Sequence, residues 1–257
     1  MIAAWSSWAP SPAAALIALL LVGHVLADFL VQPHDDVEAG RRGRGFVSHG
    51  VAVLVTHLLV LVPLLSIEVA AAALAIALLH VAIDVVRARW IPESWGGLKP
   101  FALDQAAHVL VILAAWCVLA RSGAIPGFRW LTAAQMGPYV GAGVLAAAFA
   151  FNATGGSVIV AGILNLLPRD EAEEGPAGYG GAGRMIGILE RTLMLALVLY
   201  GQWAAIGLLI TAKSIARFEE IKVRKFAEYY LIGTLASLLV AFVVGFLLAE
   251  LLFPRMI

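Results

Sequence analysis

A histidine and an aspartate stand four residues apart in the motif HVAID, His80 to Asp84, inside an otherwise apolar run. Residues four apart lie on one face of a helix, so the pair directs an imidazole and a carboxylate the same way. An earlier apolar run repeats the pair as His24 and Asp28 in HVLAD. Ionisable side chains in a membrane segment are costly, and they indicate a functional site.

A third pair has the reverse order, Asp104 and His108 in DQAAH, and His49 begins another apolar run. At 1.5 Å per residue, the three pairs lie roughly 5–15 Å below the cytoplasmic helix ends. We expect no lysine or arginine at that depth in the first four helices. Three carboxylates in one low-dielectric layer must therefore be protonated, paired with imidazolium or bound to a cation.

Imidazole and carboxylate ligands suit zinc, iron or manganese, and carboxylate and histidine pairs on bundle helices build di-metal sites. We therefore predict a divalent metal, zinc in first place, with iron or manganese as alternatives. The predicted ligands are His24, Asp28, His80, Asp84, Asp104 and His108. Asp84, Asp104 and His49 are the predicted catalytic residues, with His49 as a ligand or proton shuttle. The alternative is a structural hydrogen-bond network, which we favour for His57 and His34 alone; Gln32 and Gln105 are metal-site donors or ordinary helix-end residues.

The composition is that of a membrane protein. Of the 257 residues, 62% are apolar and 13% are charged, whereas soluble domains carry about 25% charged residues. The fold class is therefore all-α, a polytopic transmembrane helical bundle. Zero net charge argues against a nucleic-acid partner, so membrane lipids are the expected partners, and a homo-oligomer is left open.

Apolar runs of about 20 residues predict the membrane helices. The predicted spans are 11–32, 46–65, 68–90, 101–120, 136–167 with a kink at 152–156, and 227–253. Residues 169–183 read as a flexible acidic loop. We expect a single integral membrane domain over 1–257, with a His/Asp-rich four-helix half, 11–120, and a second half, 121–257.

The stretch 184–217 is one span or two, which gives seven or eight helices. Only a break at Gly201 and Gln202 leaves every basic loop on the cytoplasmic side. The break also sets Glu190 and Lys213 at one depth in a hairpin, where they can pair. We predict eight helices with both termini outside. The matching His/Asp motifs further predict a parallel repeat of helices 1–2 and 3–4.

The second half carries a charged group near its predicted cytoplasmic face, formed by Glu190, Arg191, Lys213 and Arg217. Two or three cations facing a bundle can bind a phosphate or a lipid headgroup, which makes these four residues candidate substrate ligands. Alternatively, Glu190 and Lys213 form an ion pair that fixes helix register, and the other cations extend to the interface.

Several motifs resemble a bacterial inner-membrane family known as domain of unknown function 3307: HVLADFLVQP, the histidine of SHG, HVAID and FALDQAAHV. GRMIGILER, KSIARF and AEYYLIGTLAS are similar to the longer members of that family. The resemblance implies a multi-pass protein of the bacterial inner membrane, and it implies no activity. The HxxxD pattern alone is similar to membrane-bound metal-dependent hydrolases.

Three functions are consistent with these residues. The first is a metal-dependent hydrolase or transferase that acts on a lipid or lipid-linked phosphate at the cytoplasmic leaflet. The second is a transporter or channel for divalent metal ions or protons, which the apolar outer half of helices 1–4 disfavours. The third is a structural or partner-binding protein whose acidic loop, Asp170 to Glu174, recruits a soluble partner; this function leaves the His/Asp pairs unexplained.

Overall fold

The computed structural model describes residues 9–31, 44–91, 97–167 and 182–252, and every regular element in these ranges is helical. The all-α prediction is therefore confirmed. In chain order the helices are α1 Pro12–Leu26, α2 Arg44–Val60, α3 Ile67–Trp90, α4 Leu98–Arg121, α5 Ala133–Ala150, α6 Gly156–Leu164, α7 Ala182–Leu199, α8 Trp203–Ala216, α9 Phe218–Ile221 and α10 Arg224–Leu252. His34, Gln32 and most of the predicted acidic loop lie outside the described residues.

Two π-helical turns interrupt the α-helical geometry. Ala27–Val31 extends α1, and Phe151–Gly155 joins α5 to α6 at the position of the predicted kink. The predicted break after residue 200 is also confirmed, because α7 ends at Leu199 and α8 begins at Trp203. Gly201 lies between them with φ of 65°, a conformation that glycine adopts without steric cost. Counting α5 and α6 as one, the long elements match the eight predicted helices.

The protein is a membrane protein by the length and composition of its helices. Among the described residues, five helical segments are long and apolar enough to cross a bilayer: Pro12–Val31, Ile67–Trp90, Leu98–Arg121, Ala133–Leu164 and Arg224–Glu250. Two shorter apolar helices are Gly45–Val60 and Trp203–Ala216. Helix α7 carries Arg184, Glu190 and Arg191 within its 18 residues. The orientation of the helices stays a prediction.

The chain divides into two compact units. The first comprises residues 1–95 and 99–150, and the second comprises 96–98 and 151–257. The division therefore falls between Ala150 and Phe151, at the start of the second π-helical turn, and it places the whole of α5 with the His/Asp-rich helices.

Local signals and long-range contacts fix the helices of the first unit. Ser11 and Ser66 cap α1 and α3, since their hydroxyls accept from Ala14 N and Val69 N at 3.2 Å each. The shared core contains Leu16, Leu20, Ile76, Ile112 and Met136. The Trp116 indole donates to the Ala13 carbonyl at 2.9 Å and ties α4 to α1. These contacts hold the first four helices in place around their polar residues.

Candidate metal centre

The first unit brings all seven predicted His/Asp residues into one cluster, which we name the His/Asp cluster: His24, Asp28, His49, His80, Asp84, Asp104 and His108. Helix α1 and its π-helical turn supply His24 and Asp28, and α2 supplies His49. Helices α3 and α4 supply the other two pairs. Five of these residues have less than 9% of their surface exposed, and the remaining two, Asp28 and Asp84, are mostly buried. The structure therefore brings these seven side chains together, and their roles as ligands and catalytic residues stay a prediction.

The Nε2 atoms of His49 and His80 each lie close to the same two carboxylates. His49 Nε2 lies 2.9 Å from His80 Nε2, 3.6 Å from Asp28 Oδ1 and 3.7 Å from Asp84 Oδ2. His80 Nε2 lies 3.2 Å from the same Asp28 oxygen and 3.6 Å from the same Asp84 oxygen. His49, His80 and Asp84 offer ligand atoms that lie within 4.8 Å of one another, and Asp28 adds an oxygen close to both imidazoles.

These separations are those of ligands around one ion. Zinc bonds nitrogen and oxygen at about 2.0–2.2 Å, so tetrahedral ligands lie about 3.3–3.5 Å apart. The observed distances of 2.9–3.7 Å bracket that value. The shortest distance also permits a hydrogen bond between His49 and His80 when one Nε2 carries a proton. The donor set thus fits a zinc-sized cation.

The second carboxylate oxygen of Asp84 faces a different set of donors. Asp84 Oδ1 lies 3.7 Å from His108 Nε2, and His108 Nδ1 lies 3.9 Å from Asp104 Oδ2. The ligand atoms of Asp84, Asp104 and His108 lie within 4.8 Å of one another. Asp84 therefore belongs to two neighbouring donor groups, one through each oxygen. A carboxylate in this position can bridge two metal ions.

Several buried atoms of the cluster lack a hydrogen bond within the described part of the chain. Both ring nitrogens of His24 and both of His108 are in this state, as are Asp28 Oδ1 and Asp104 Oδ1. His24 Nδ1 lies 3.7 Å from Asp28 Oδ2, and the ring of His108 stacks on His80 at 3.8 Å. Buried polar atoms are normally hydrogen-bonded. This number of buried atoms without a hydrogen bond among the described residues points to a further group that binds them.

Two residues support the carboxylates from α3 and α4. The Gln105 amide donates to Asp28 Oδ2 at 3.2 Å and more weakly to Asp104 Oδ2 at 3.4 Å, which supports the metal-site interpretation of this residue. Arg87 Nη1 donates to Asp104 Oδ2 at 3.1 Å. The expectation that no cation reaches the carboxylates was therefore wrong. Counting depth along the helix axis misses the several ångströms that an arginine side chain spans.

His57 lies apart from the donor groups. Its Nδ1 donates to the Val53 carbonyl, one turn earlier in α2, at 2.8 Å. Its Nε2 is buried without a hydrogen-bond partner among the described residues, and its ring packs against the backbone of Gly23. A Cβ at Gly23 would lie 3.0 Å from His57 Cδ2, so glycine is required for this close contact.

The predicted substrate-binding residues lie in the second unit, and each makes a hydrogen bond or ion pair with another residue there. Lys213 Nζ donates to Glu190 Oε2 at 2.5 Å, which confirms the predicted ion pair. Arg217 Nη1 donates to Glu220 Oε1 at 3.3 Å. The observed pairs agree with the structural interpretation of these residues.

Arg191 makes a contact that the sequence did not predict. Its Nε donates to the Asn152 carbonyl at 2.9 Å, and Nη2 donates to the Ala153 carbonyl at 2.9 Å and to the Ser157 hydroxyl. Asn152 Nδ2 donates in return to the Arg191 carbonyl at 2.8 Å. We name this group the Arg191 clamp. The guanidinium is buried against the second π-helical turn, which explains why an arginine occurs within α7.

Comparison with known proteins covers part of the chain. Residues 16–126 match the model of a family described as protein of unknown function, DUF3307. This stretch is less than half of the chain. It includes the whole His/Asp cluster and ends before the helices of the second unit. No curated protein and no solved structure matches the chain, so the likeness to membrane-bound metal-dependent hydrolases stays a prediction.

Proposed function

We propose that the protein is a metal-dependent membrane enzyme, a hydrolase or transferase that acts on a lipid or lipid-linked phosphate. The observation that carries the proposal is that His49 Nε2 and His80 Nε2 lie at ligand-to-ligand distances from each other and from oxygens of both Asp28 and Asp84. Two imidazoles and two carboxylates suit zinc first, with iron or manganese as alternatives. The unpaired nitrogens of His24 and His108 supply further ligands.

The two oxygens of Asp84 support a centre with two ions. The residues that would hold one ion are His49, His80, Asp28 and, through Oδ2, Asp84. The residues that would hold the other are His108, Asp104 and, through Oδ1, Asp84. Paired metals about 3.5–4 Å apart stabilise both the attacking and the leaving oxygen of a phosphoryl transfer. A single ion in the first group, with the remaining residues as supporting hydrogen-bond partners, is the smaller form of the same proposal.

A metal held by these residues would lower the pKa of a water, and in the proposed reaction a water attacks phosphorus. The water oxygen forms a bond to phosphorus, the bond from phosphorus to the leaving oxygen breaks, and the water proton passes to a carboxylate. Asp104 is the better base, because its Oδ1 has no hydrogen bond among the described residues and Asp84 is engaged with two donor groups. In a transferase, an acceptor hydroxyl would replace the water.

The proposed location is the cytoplasmic leaflet of the bacterial inner membrane. Arg87 and Arg89 lie at the end of α3 nearest the cluster, and Lys99 lies at the start of α4. Basic residues mark the cytoplasmic ends of membrane helices. On α3, Asp84 of the cluster lies about one turn before Arg87, so in the proposed orientation the cluster is within reach of a lipid headgroup.

Elemental analysis of the purified protein tests the proposal. We expect stoichiometric zinc, iron or manganese in the wild type and its loss in Asp84→Ala, since this change removes a ligand from both donor groups. Glu190→Ala is the control, because it removes a buried carboxylate of the second unit and should keep the metal. Circular dichroism checks that both variants fold. A metal-free wild type, even after reloading, would eliminate the enzyme proposal.

A transporter for divalent metal ions or protons is the second candidate, and His57 is the observation that favours it. Its unpaired Nε2 lies two turns beyond His49 on α2, deeper among apolar residues. Metal flux along a gradient in proteoliposomes, abolished in His57→Leu, would favour transport. Hydrolysis without flux would favour the enzyme.

A further inference from the structure

Arg87 connects the buried His/Asp cluster to the outside of the first unit. Its side chain is 41% exposed, whereas that of its partner Asp104 is 3% exposed. The contact is a bond from Nη1 to Asp104 Oδ2 at 3.1 Å. The guanidinium therefore donates to a cluster carboxylate from a side chain that is partly exposed.

The open side of the cluster lies next to this guanidinium. Asp84 is the most exposed carboxylate of the cluster, at 17% against 9% for Asp28. Arg87 follows Asp84 by three residues on α3, so the two side chains lie on the same side of the helix one turn apart. A ligand bound at the exposed side of Asp84 would therefore lie near the Arg87 side chain.

The remaining N–H donors of Arg87 suit a phosphate. A guanidinium presents several N–H donors in a planar fork that matches two phosphate oxygens, and the bond to Asp104 uses one donor. The cations that the sequence suggested for this task are engaged elsewhere, Lys213 with Glu190 and Arg217 with Glu220. Arg87, by contrast, contacts the cluster through Asp104.

We propose that Arg87 binds the phosphate of the substrate and holds it against the metal centre, so that the substrate class is a phosphate monoester or other terminal phosphate. Asp104 fixes the guanidinium through Oδ2. The inference rests on the proposed metal-dependent function. A lipid headgroup and a soluble phosphate share this chemistry.

Phosphate binding by the zinc-loaded full-length protein in phosphatidylcholine nanodiscs tests the assignment. Inorganic phosphate is titrated by calorimetry into wild type, Arg87→Ala, Arg87→Lys and Arg89→Ala. We expect the Kd for inorganic phosphate to rise about tenfold or more in Arg87→Ala, because hydrogen bonds between charged groups are lost. The zinc content should be unchanged. Arg87→Lys should fall between the two, since it keeps the charge and loses the fork.

Arg89→Ala is the matched control. It removes the same charge from the same end of α3, but it is exposed and points about 200° around the helix from Arg87. We expect it to bind phosphate as the wild type does. Equal losses in both variants would show a general charge effect and overturn the assignment.

Nanodiscs that contain phosphatidic acid distinguish the two sources of phosphate. If a lipid headgroup occupies the site, phosphatidic acid competes and weakens the apparent affinity for inorganic phosphate in wild type but not in Arg87→Ala. Competition supports a lipid substrate, and its absence beside normal phosphate binding supports a soluble one.

The outcomes separate this inference from the proposed function. If Arg87→Ala binds phosphate with wild-type affinity, the assignment is wrong, and the Arg87–Asp104 contact serves only to connect α3 and α4. If Arg87→Ala fails to fold, Arg87→Lys decides by the same measurement. A zinc-loaded wild type that binds no phosphate would overturn the substrate class and leave the metal site intact. A wild type that holds no zinc, iron or manganese, even after reloading, would overturn the proposed function itself.

Discussion

The His/Asp cluster and the Arg191 clamp both bury charge among apolar helices, but they satisfy it differently. In the clamp, the Arg191 guanidinium meets the carbonyls of Asn152 and Ala153 and the Ser157 hydroxyl. In the cluster, the ring nitrogens of His24 and His108 have no hydrogen bond within the described residues. The clamp thus satisfies the N–H donors of its charged group with acceptors of the chain. Asn152 Oδ1 has no hydrogen bond among the described residues.

The difference lies in the balance of donors and acceptors. The clamp surrounds one strong donor with acceptors, so the chain itself supplies the match. The cluster gathers three carboxylates, which only accept hydrogen bonds, and four imidazoles, each of which has one N–H donor and one acceptor nitrogen when neutral. Gln105 and Arg87 add further donors, yet several buried atoms of the cluster have no hydrogen bond among the described residues. Unpaired buried polar groups cost about 1–3 kcal/mol each, so the cluster favours an added cation and the clamp does not. Three measurements can break or sharpen this contrast.

Metal should stabilise the protein through the cluster, and this is the largest effect expected. Zinc added to chelator-treated protein at about 1,000 times its Kd should raise the free energy of unfolding by about 4 kcal/mol, because the ion binds the folded state. Denaturant unfolding in detergent, followed by circular dichroism, measures the change. Asp84→Ala should show none of it. If zinc leaves the free energy of unfolding of the wild type unchanged, the cluster is a structural hydrogen-bond network like the clamp.

Removal of the clamp should destabilise the protein without any metal. Arg191→Ala leaves the acceptors of the second π-helical turn without their charged donor, and we expect a loss of about 3 kcal/mol in the free energy of unfolding. Arg184→Ala is the control, because it removes an exposed arginine from the same helix. Denaturant unfolding compares the two. If both variants are equally stable, the clamp contributes no more than a surface charge.

His57→Leu should have the smallest effect. His57 makes one hydrogen bond to a carbonyl of its own helix, and its other ring nitrogen is unpaired. Leucine removes that unpaired atom at a similar volume, so we expect a change within about 1 kcal/mol and an unchanged metal content. Elemental analysis and denaturant unfolding check both values. Loss of metal would move His57 from the structural to the functional residues.

Local periodicity was sufficient to predict much of the first unit. Spacing of four places His80 and Asp84 on one face of α3, and an apolar length near a bilayer thickness defines the helices. The break after Leu199 followed from the distribution of basic residues along the chain. These features depend on neighbours in sequence, so they can be read before the fold is known.

Contacts between distant helices could not be predicted in the same way. Asn152 was expected at a kink, but its partner Arg191 is 39 residues away, and no local pattern links them. The approach of Arg87 to Asp104 depends on how a long side chain turns toward α4. The division of Asp84 between two donor groups depends on rotamers and helix packing. Such features require three-dimensional coordinates.

The π-helical turn at Ala27–Val31 bears on the history of the site. HVLAD and HVAID are nearly the same motif, yet Asp28 lies in the π-helical turn and Asp84 lies in a regular α-helix. His24 faces its aspartate through Nδ1, whereas His80 faces its aspartate through Nε2. If the two motifs arose by duplication, an inserted residue in the first copy would account for the turn. The copies would then have ceased to be interchangeable, and exchanging one motif for the other would not restore the same site.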